Sequence, residues 1–186
     1  MADTRLQILI VDDDAHFRRT FTDVLKANGY EALAVGYADA ALEIAAHQMP
    51  TVAVIDLRLP DTSGVELLGQ LKEVSPDTEC IVLTGYASQQ SAIEAVNLGA
   101  YSYVQKPYDL EQLLLSIRRA SEKCESNRAL RESEEKYRVL VEQSLQGMVV
   151  AQGMPPRLVF ANRAIGEMLG YSVQNCSPYP PRKSRT

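Results

Sequence analysis

The chain has 186 residues, a formal charge of −5 and a hydrophobic fraction of 46%, which excludes wholesale disorder and leaves room for one good core with a second small unit. The charge is uneven: residues 1–123 hold 10 Lys and Arg against 18 Asp and Glu, whereas residues 124–186 hold 9 against 6. The acidic first part argues against nucleic-acid contact there, and the basic remainder reads as a solvated linker and tail.

Residues 6–11, LQILIV, form a short, branched, nearly all-apolar run that ends in charge, which predicts a buried parallel strand. Phe17, Phe21, Val24 and Leu25 recur at helical spacing through residues 16–27, and Asn28-Gly29 ends that helix. Residues 32–35 predict a second strand. An Ala-rich helix follows over 38–47, with Ala41, Leu42, Ile44 and Ala45 inward. The third strand, 52–55, is apolar throughout and lies between Pro50 and Asp56. After a loop over 59–64, Val65, Leu67, Leu68 and Leu71 mark a helix over 65–74 that stops before Pro76. Residues 80–83 are the fourth strand. Residues 88–97 are a helix with Ala92, Ile93 and Val96 inward, closed by Gly99. Residues 101–104 are the fifth strand, and a helix starts after Pro107. Five strand–helix alternations with short connections predict an α/β domain of (βα)5 type: a doubly wound, flavodoxin-like five-stranded parallel sheet with an extended last helix.

Ligands in such sheets sit beyond the carboxyl ends of the strands. Asp12, Asp13, Asp56, Thr84 and Lys106 all fall there, each at the end of an apolar run. One acidic residue at a strand end is most often a helix cap, but several polar types recurring on one edge are not. A carboxylate can attack a phosphoryl group to give an aspartyl phosphate, and cations must then offset the charge on the phosphoryl oxygens. Mg2+, with Mn2+ as an alternative, suits Asp12, Asp13 and Asp56, because a hard ion takes oxygen ligands. Lys106 brings a mobile positive charge and Thr84 a hydroxyl donor. Asp14 reads as the cap of the helix beginning near Ala15. Pro107 either opens the next helix or follows a cis bond that aims Lys106 inward.

The runs IVDDD, VIDLRLPDTSG, VLTGYAS and VQKPYD resemble the receiver domain of two-component response regulators over residues 5–122. The resemblance implies that Asp56 is the phosphoacceptor and that the main-chain carbonyl of Arg58 completes the metal shell. It implies Thr84 and Tyr103 as a switch pair, with Tyr103 taking the space that Thr84 vacates; Tyr103 also reads as a plain core aromatic. It implies a histidine kinase or phosphotransfer protein as partner and phosphodonor. Arg58 and Tyr86 fall where the family borders the route of the hydrolytic water, and both are bulky, which suggests a long-lived phosphoryl group. The only chemistry expected of the chain itself is Mg2+-dependent self-phosphorylation from a phosphodonor and autodephosphorylation.

The last helix does not stop where such a domain would. Leu110, Leu113, Leu114, Ile117 and Ala120 give an inward stripe, continued by Cys124, Asn127 and Leu130 and resumed by Tyr137, Leu140, Val141 and Ser144. A single apolar face on a helix this long needs a partner, so a parallel homodimer through the helix after residue 110 is expected, with a connector folded back on its own domain as the alternative. Beyond it, GMVVAQ and RLVFAN are strand-like runs separated by GMPP, and NRAIGEMLGYS reads as a helix. The stretch resembles the beginning of a PAS domain. Only 16 residues follow Gly170, so it reads as incomplete, either cut within the PAS region or encoded by a frame that ends early, with no haem, flavin or small ligand expected. The organisation expected is a receiver at 1–122, a helical linker at 123–144, an incomplete PAS-like segment at 145–175 and a disordered tail at 176–186.

Cys80, Cys124 and Cys176 are odd in number, far apart and without CxxC spacing, so free thiols rather than zinc are expected. The N-terminus has no leader-like pattern and no run suits a membrane helix, so a cytoplasmic protein without direct nucleic-acid binding is expected. Two other readings remain. One is a docking or dimerising module whose phosphorylation is incidental. The other is the N-terminal part of a hybrid histidine kinase or cyclic-dinucleotide enzyme.

Overall fold

Five apolar runs become five parallel strands: β1 (Gln7–Val11), β2 (Glu31–Val35), β3 (Val52–Asp56), β4 (Glu79–Thr84) and β5 (Ser102–Gln105). The computed structural model describes residues 6–85 and 89–170. Tyr86, Cys176 and the tail from residue 171 lie outside the described residues. The helices that alternate with the strands are α1 (Ala15–Ala27), α2 (Ala38–Gln48), α3 (Gly64–Val74), α4 (Gln89–Asn97) and α5 (Leu110–Glu142). The strand order is β2-β1-β3-β4-β5, so the chain reverses its winding direction once, between β1 and β3. The chain divides into two compact units, residues 1–128 and residues 129–186.

The period of two along each strand builds two core layers. Leu9, Val11, Ala53, Ile55, Cys80 and Val82 face Ala41 and Ala45 of α2, Leu67, Leu68 and Leu71 of α3, and Ala95 of α4. Ile8, Ile10, Val52, Val54, Ile81 and Leu83 face Phe21 and Leu25 of α1 and Leu113, Ile117 and Ala120 of α5. Each buried Leu, Ile or Phe among them contributes about 1.5–3 kcal/mol relative to exposure. Two expectations need correction. Ile93 and Val96 of α4 point outward, 54% and 63% exposed, and fully buried Ala95 faces the core instead. Leu110, at the very start of α5, is also exposed, and the inward stripe begins at Leu113. Both errors have one cause: apolar spacing in a short helix or at a helix start does not say which face meets the sheet.

Caps fix where the helices begin. The Asp14 carboxylate accepts from His16 N at 2.8 Å and Phe17 N at 3.2 Å, and Ser63 Oγ accepts from Val65 N at 3.3 Å. At the far end of the sheet, α5 is tied to the start of β4. Lys123 Nζ lies 2.9 Å from the buried Glu79 carboxylate, and the Cys124 thiol donates to Asp77 O at 3.1 Å. The 33 residues of α5 carry no Pro or Gly, and beyond Cys124 its residues are exposed or half-buried.

In the second unit, β6 (Val149–Gln152) and β7 (Arg157–Ala161) pair antiparallel, and α6 (Arg163–Leu169) follows. Asn162 is wholly buried and holds this unit together. Its Oδ1 accepts from Met148 N at 2.7 Å and Ile165 N at 3.2 Å, and its Nδ2 donates to Val141 O at 3.0 Å and Gln146 O at 2.8 Å. Among the described residues no helix is long and apolar enough to cross a membrane.

Candidate functional site

The strand register brings the polar strand ends together. Val11 pairs with Ile55, Asp56 with Leu83, and Thr84 with Gln105, so Asp12, Asp56, Thr84 and Lys106 leave the sheet on one edge. Asp12, Asp13 and Asp56 each offer an oxygen, and these atoms lie within 4.8 Å of one another. That cluster is capable of coordinating a divalent metal ion, since three carboxylate oxygens suit a hard cation. Asp12 is buried, Asp56 half-buried and Asp13 exposed, so Asp13 forms the open side.

Lys106 Nζ reaches across the sheet edge and lies 3.0 Å from both Asp12 Oδ2 and Asp56 Oδ2. Its backbone N–H donates to Thr84 O at 2.6 Å, which fixes where the lysine leaves β5, and the Lys106–Pro107 peptide is cis. Burial alone would lower the Lys106 pKa, but the hydrogen bonds and charges of Asp12 and Asp56 outweigh it and hold the ammonium above its ordinary value. Burial holds Asp12 above the usual carboxylate range, against the hydrogen bond from Asp14 N and the nearby ammonium. The ammonium also sits 5.4 Å from the Phe17 ring centroid, and Phe17 meets Tyr108 edge-on. Burial pushes the Tyr108 hydroxyl up to about 12, so it stays a neutral donor.

The loop after Asp56 is closed by contacts that only glycine permits. Gly64 N donates to Leu57 O at 2.8 Å, and a Cβ on Gly64 would fall 2.2 Å from Asp56 O and 2.8 Å from Leu57 Cα. Arg58 N points toward Asp56 Oδ1 at 3.5 Å, and Arg58 bridges back to Ser63. The Arg58 guanidinium lies against Gly85, 3.5 Å from where its Cβ would be. Thr84 is buried at the end of β4. Tyr103, paired in register with Val82, is half-buried and packs against the core layer that faces α2 and α3.

Three residues near the site were not singled out from the sequence. Arg18 of α1 donates through Nη1 to Asp12 O at 2.6 Å. Asp61, in the loop after β3, accepts from Ala38 N at 2.7 Å and so caps α2, whose own cap residue Tyr37 supplies no side-chain bond. Gly36 leaves the space that the Arg18 guanidinium fills. An arginine on a helix and an aspartate in a loop look solvated in sequence. The glycine directly after the second strand is the one local signal.

Residues 8–118 match the family described as response regulator receiver domain, and residues 135–182 match a PAS domain. Regulatory protein AtoC of Escherichia coli is 35% identical over 114 residues, which are 61% of this chain and 25% of that protein. Acid tolerance regulatory protein ActR of Rhizobium meliloti is 40% identical over 124 residues, 63% of this chain and 61% of that protein. The chain thus spans a quarter to three fifths of these relatives. A CheY-like receiver domain protein from Methanospirillum hungatei superposes with a TM-score of 0.65 at 31% identity, covering 67% of this chain and 99% of that one. With the (βα)5 sheet and its acidic edge, these matches establish that the chain belongs to the response regulator receiver family, of the CheY-like superfamily typical of two-component phosphorelays, followed by a PAS-like domain.

Proposed function

We propose that the chain receives a phosphoryl group on Asp56 from the phosphohistidine of a histidine kinase or phosphotransfer protein. The observation that carries this reading is Lys106 Nζ at 3.0 Å from Asp56 Oδ2 and Asp12 Oδ2, at the mouth of a three-carboxylate cluster. An Asp56 oxygen attacks phosphorus, the P–O bond forms as the P–N bond breaks, and the donor imidazole leaves with a proton. Asp12, Asp13 and Asp56, with the Arg58 main-chain carbonyl, would hold Mg2+ or Mn2+, which would supply positive charge against the phosphoryl oxygens. Lys106 turns from its two carboxylates to a phosphoryl oxygen, and the Thr84 hydroxyl donates to another. Thr84 moving inward leaves room for Tyr103, which couples Asp56 to the surface of α4, β5 and α5.

The receiver occupies residues 1–122 and works in the cytoplasm without binding nucleic acid itself. A helical linker over residues 123–144 joins it to the PAS-like segment at 145–175, and phosphorylation switches a partner or output surface. The exposed Leu130, Tyr137 and Leu140 on α5 support a parallel homodimer through this helix. The test is intact mass after incubation with acetyl phosphate. One added phosphoryl group is expected with Mg2+, none in excess EDTA, and none in Asp56→Asn. Equal labelling of Asp56→Asn overturns the reading.

A further inference from the structure

The Arg18 guanidinium is wedged between the carboxyl ends of β1 and β2. Its Nη1 donates to Asp12 O at 2.6 Å, and Asp12 N donates to Val35 O at 3.2 Å. On the other side lies Gly36, where a Cβ would fall 2.9 Å from Nη1 and 3.3 Å from Cζ. The carbonyl that Arg18 holds belongs to the peptide joining Asp12 to Asp13. Fixing that carbonyl fixes the peptide plane and so the direction of the Asp13 N–Cα bond, which narrows where the Asp13 side chain can leave the backbone. Asp13 is exposed and has no core packing to orient it, so it depends on its backbone restraints: this hydrogen bond, and the one that Asp14 N donates to Asp12 Oδ1 at 2.9 Å across the turn.

We propose that Arg18 is a positioning residue for the acidic cluster, that it orients Asp13 for Mg2+ through the Asp12 carbonyl, and that Gly36 leaves the room its guanidinium occupies in doing so. The proposal rests on the phosphoacceptor reading of Asp56. Arg18 affects a cation in two opposite ways. As a positive charge near three carboxylates it weakens Mg2+ binding, and removing it for that reason alone would tighten binding. As the group that orients a ligand it strengthens binding, and loss of such a supporting partner typically weakens metal affinity about 10- to 100-fold. The sign of the change therefore separates the two roles.

Gly36→Ala sharpens the test. The Gly36 backbone lies outside the left-handed region, so Ala is tolerated there, and the atoms its Cβ meets are the flexible end of Arg18. The substitution displaces the guanidinium without altering any charge. Mg2+ binding to the full chain is measured by titration calorimetry for wild type, Arg18→Met, Gly36→Ala and the double variant. About tenfold weaker binding is expected in each single variant, with no further loss in the double. The Mg2+ concentration that half-saturates phosphorylation by acetyl phosphate rises by the same factor. Unchanged or tighter binding in Arg18→Met overturns the proposal. Wild-type affinity in Gly36→Ala does so as well, and carries the test alone if Arg18→Met fails to fold. A wild-type chain that binds Mg2+ yet accepts no phosphoryl group undoes the phosphoacceptor reading and leaves the affinity comparison standing. A wild-type chain that binds no Mg2+ overturns both.

Discussion

Replacing Lys106 by Met keeps the aliphatic stem and removes the ammonium that bridges Asp12 and Asp56 at 3.0 Å each. At an effective dielectric of about 20, each contact has a gross Coulomb attraction of about 5 kcal/mol, much of it offset by the cost of desolvating the lysine. Breaking a fully buried ion pair costs about 3–5 kcal/mol. The Lys106 side chain is 30% exposed and that of Asp56 13%, against 1% for Asp12, so solvent screening reduces the loss. A destabilisation of about 2–3 kcal/mol is therefore expected in metal-free buffer. Two dependences identify its origin. Without the ammonium, Asp12 rises further above its ordinary pKa, so its charged form penalises folding at neutral pH, and the deficit shrinks as pH falls through that raised value. Mg2+ stabilises both proteins, but the variant lacks the competing ammonium and should bind it more tightly, so the deficit narrows by about 1.4 kcal/mol for each tenfold tighter Kd. Urea unfolding followed by circular dichroism, with EDTA or with Mg2+ and across pH 4–8, gives all of these. Equal stability of variant and wild type in EDTA, or a deficit indifferent to Mg2+ and pH, would refute the role given to Lys106.

Gly64→Ala sets a Cβ against the backbone of Asp56 and Leu57, so it should cost at least about 1–3 kcal/mol and displace the loop that carries Asp56. Thermal unfolding and acetyl phosphate labelling should both fall. Asp14→Ala removes a carboxylate whose pKa is lowered first by its hydrogen bond from Phe17 N and then by that from His16 N. A depressed folded pKa contributes stability above the ordinary carboxylate value and loses it as pH falls through the folded one. The melting temperature of Asp14→Ala should thus be lower than wild type at pH 7 and converge with it in acid. By light scattering, the full chain should be a dimer and a chain ending at Arg128 a monomer when unphosphorylated. Asn127→Leu should tighten the dimer or change its order; a monomeric full chain at high concentration removes the α5 contact.

The sheet and its acidic edge are legible because a parallel strand buried on both faces must be apolar throughout, so a carboxylate or lysine directly after it marks the strand end. Asp12, Asp56 and Lys106 announce themselves in that way, and the structure brings both carboxylates to 3.0 Å from the Lys106 ammonium. The outward Ile93 and Val96 were not legible, because Ala95 fits the same helical spacing and only the sheet decides which is covered. Arg18 and Asp61 were hidden for another reason. Their partners, the carbonyl of Asp12 and the N–H of Ala38, are backbone atoms, which leave no signature in the side-chain pattern. Asn162 was legible only as part of a strand end, and its burial comes from three segments that meet after folding.

The most direct test of the phosphoacceptor assignment is chemical. An aspartyl phosphate is an acyl phosphate, so hydroxylamine attacks its carbonyl, releases phosphate and leaves a hydroxamate on the residue that carried it. The chain is labelled with acetyl phosphate and Mg2+, treated with hydroxylamine, digested and mapped by peptide mass spectrometry. The hydroxamate is expected at Asp56 and nowhere else. A hydroxamate on Asp12 or Asp13, or a phosphoryl group that hydroxylamine does not remove, contradicts the account.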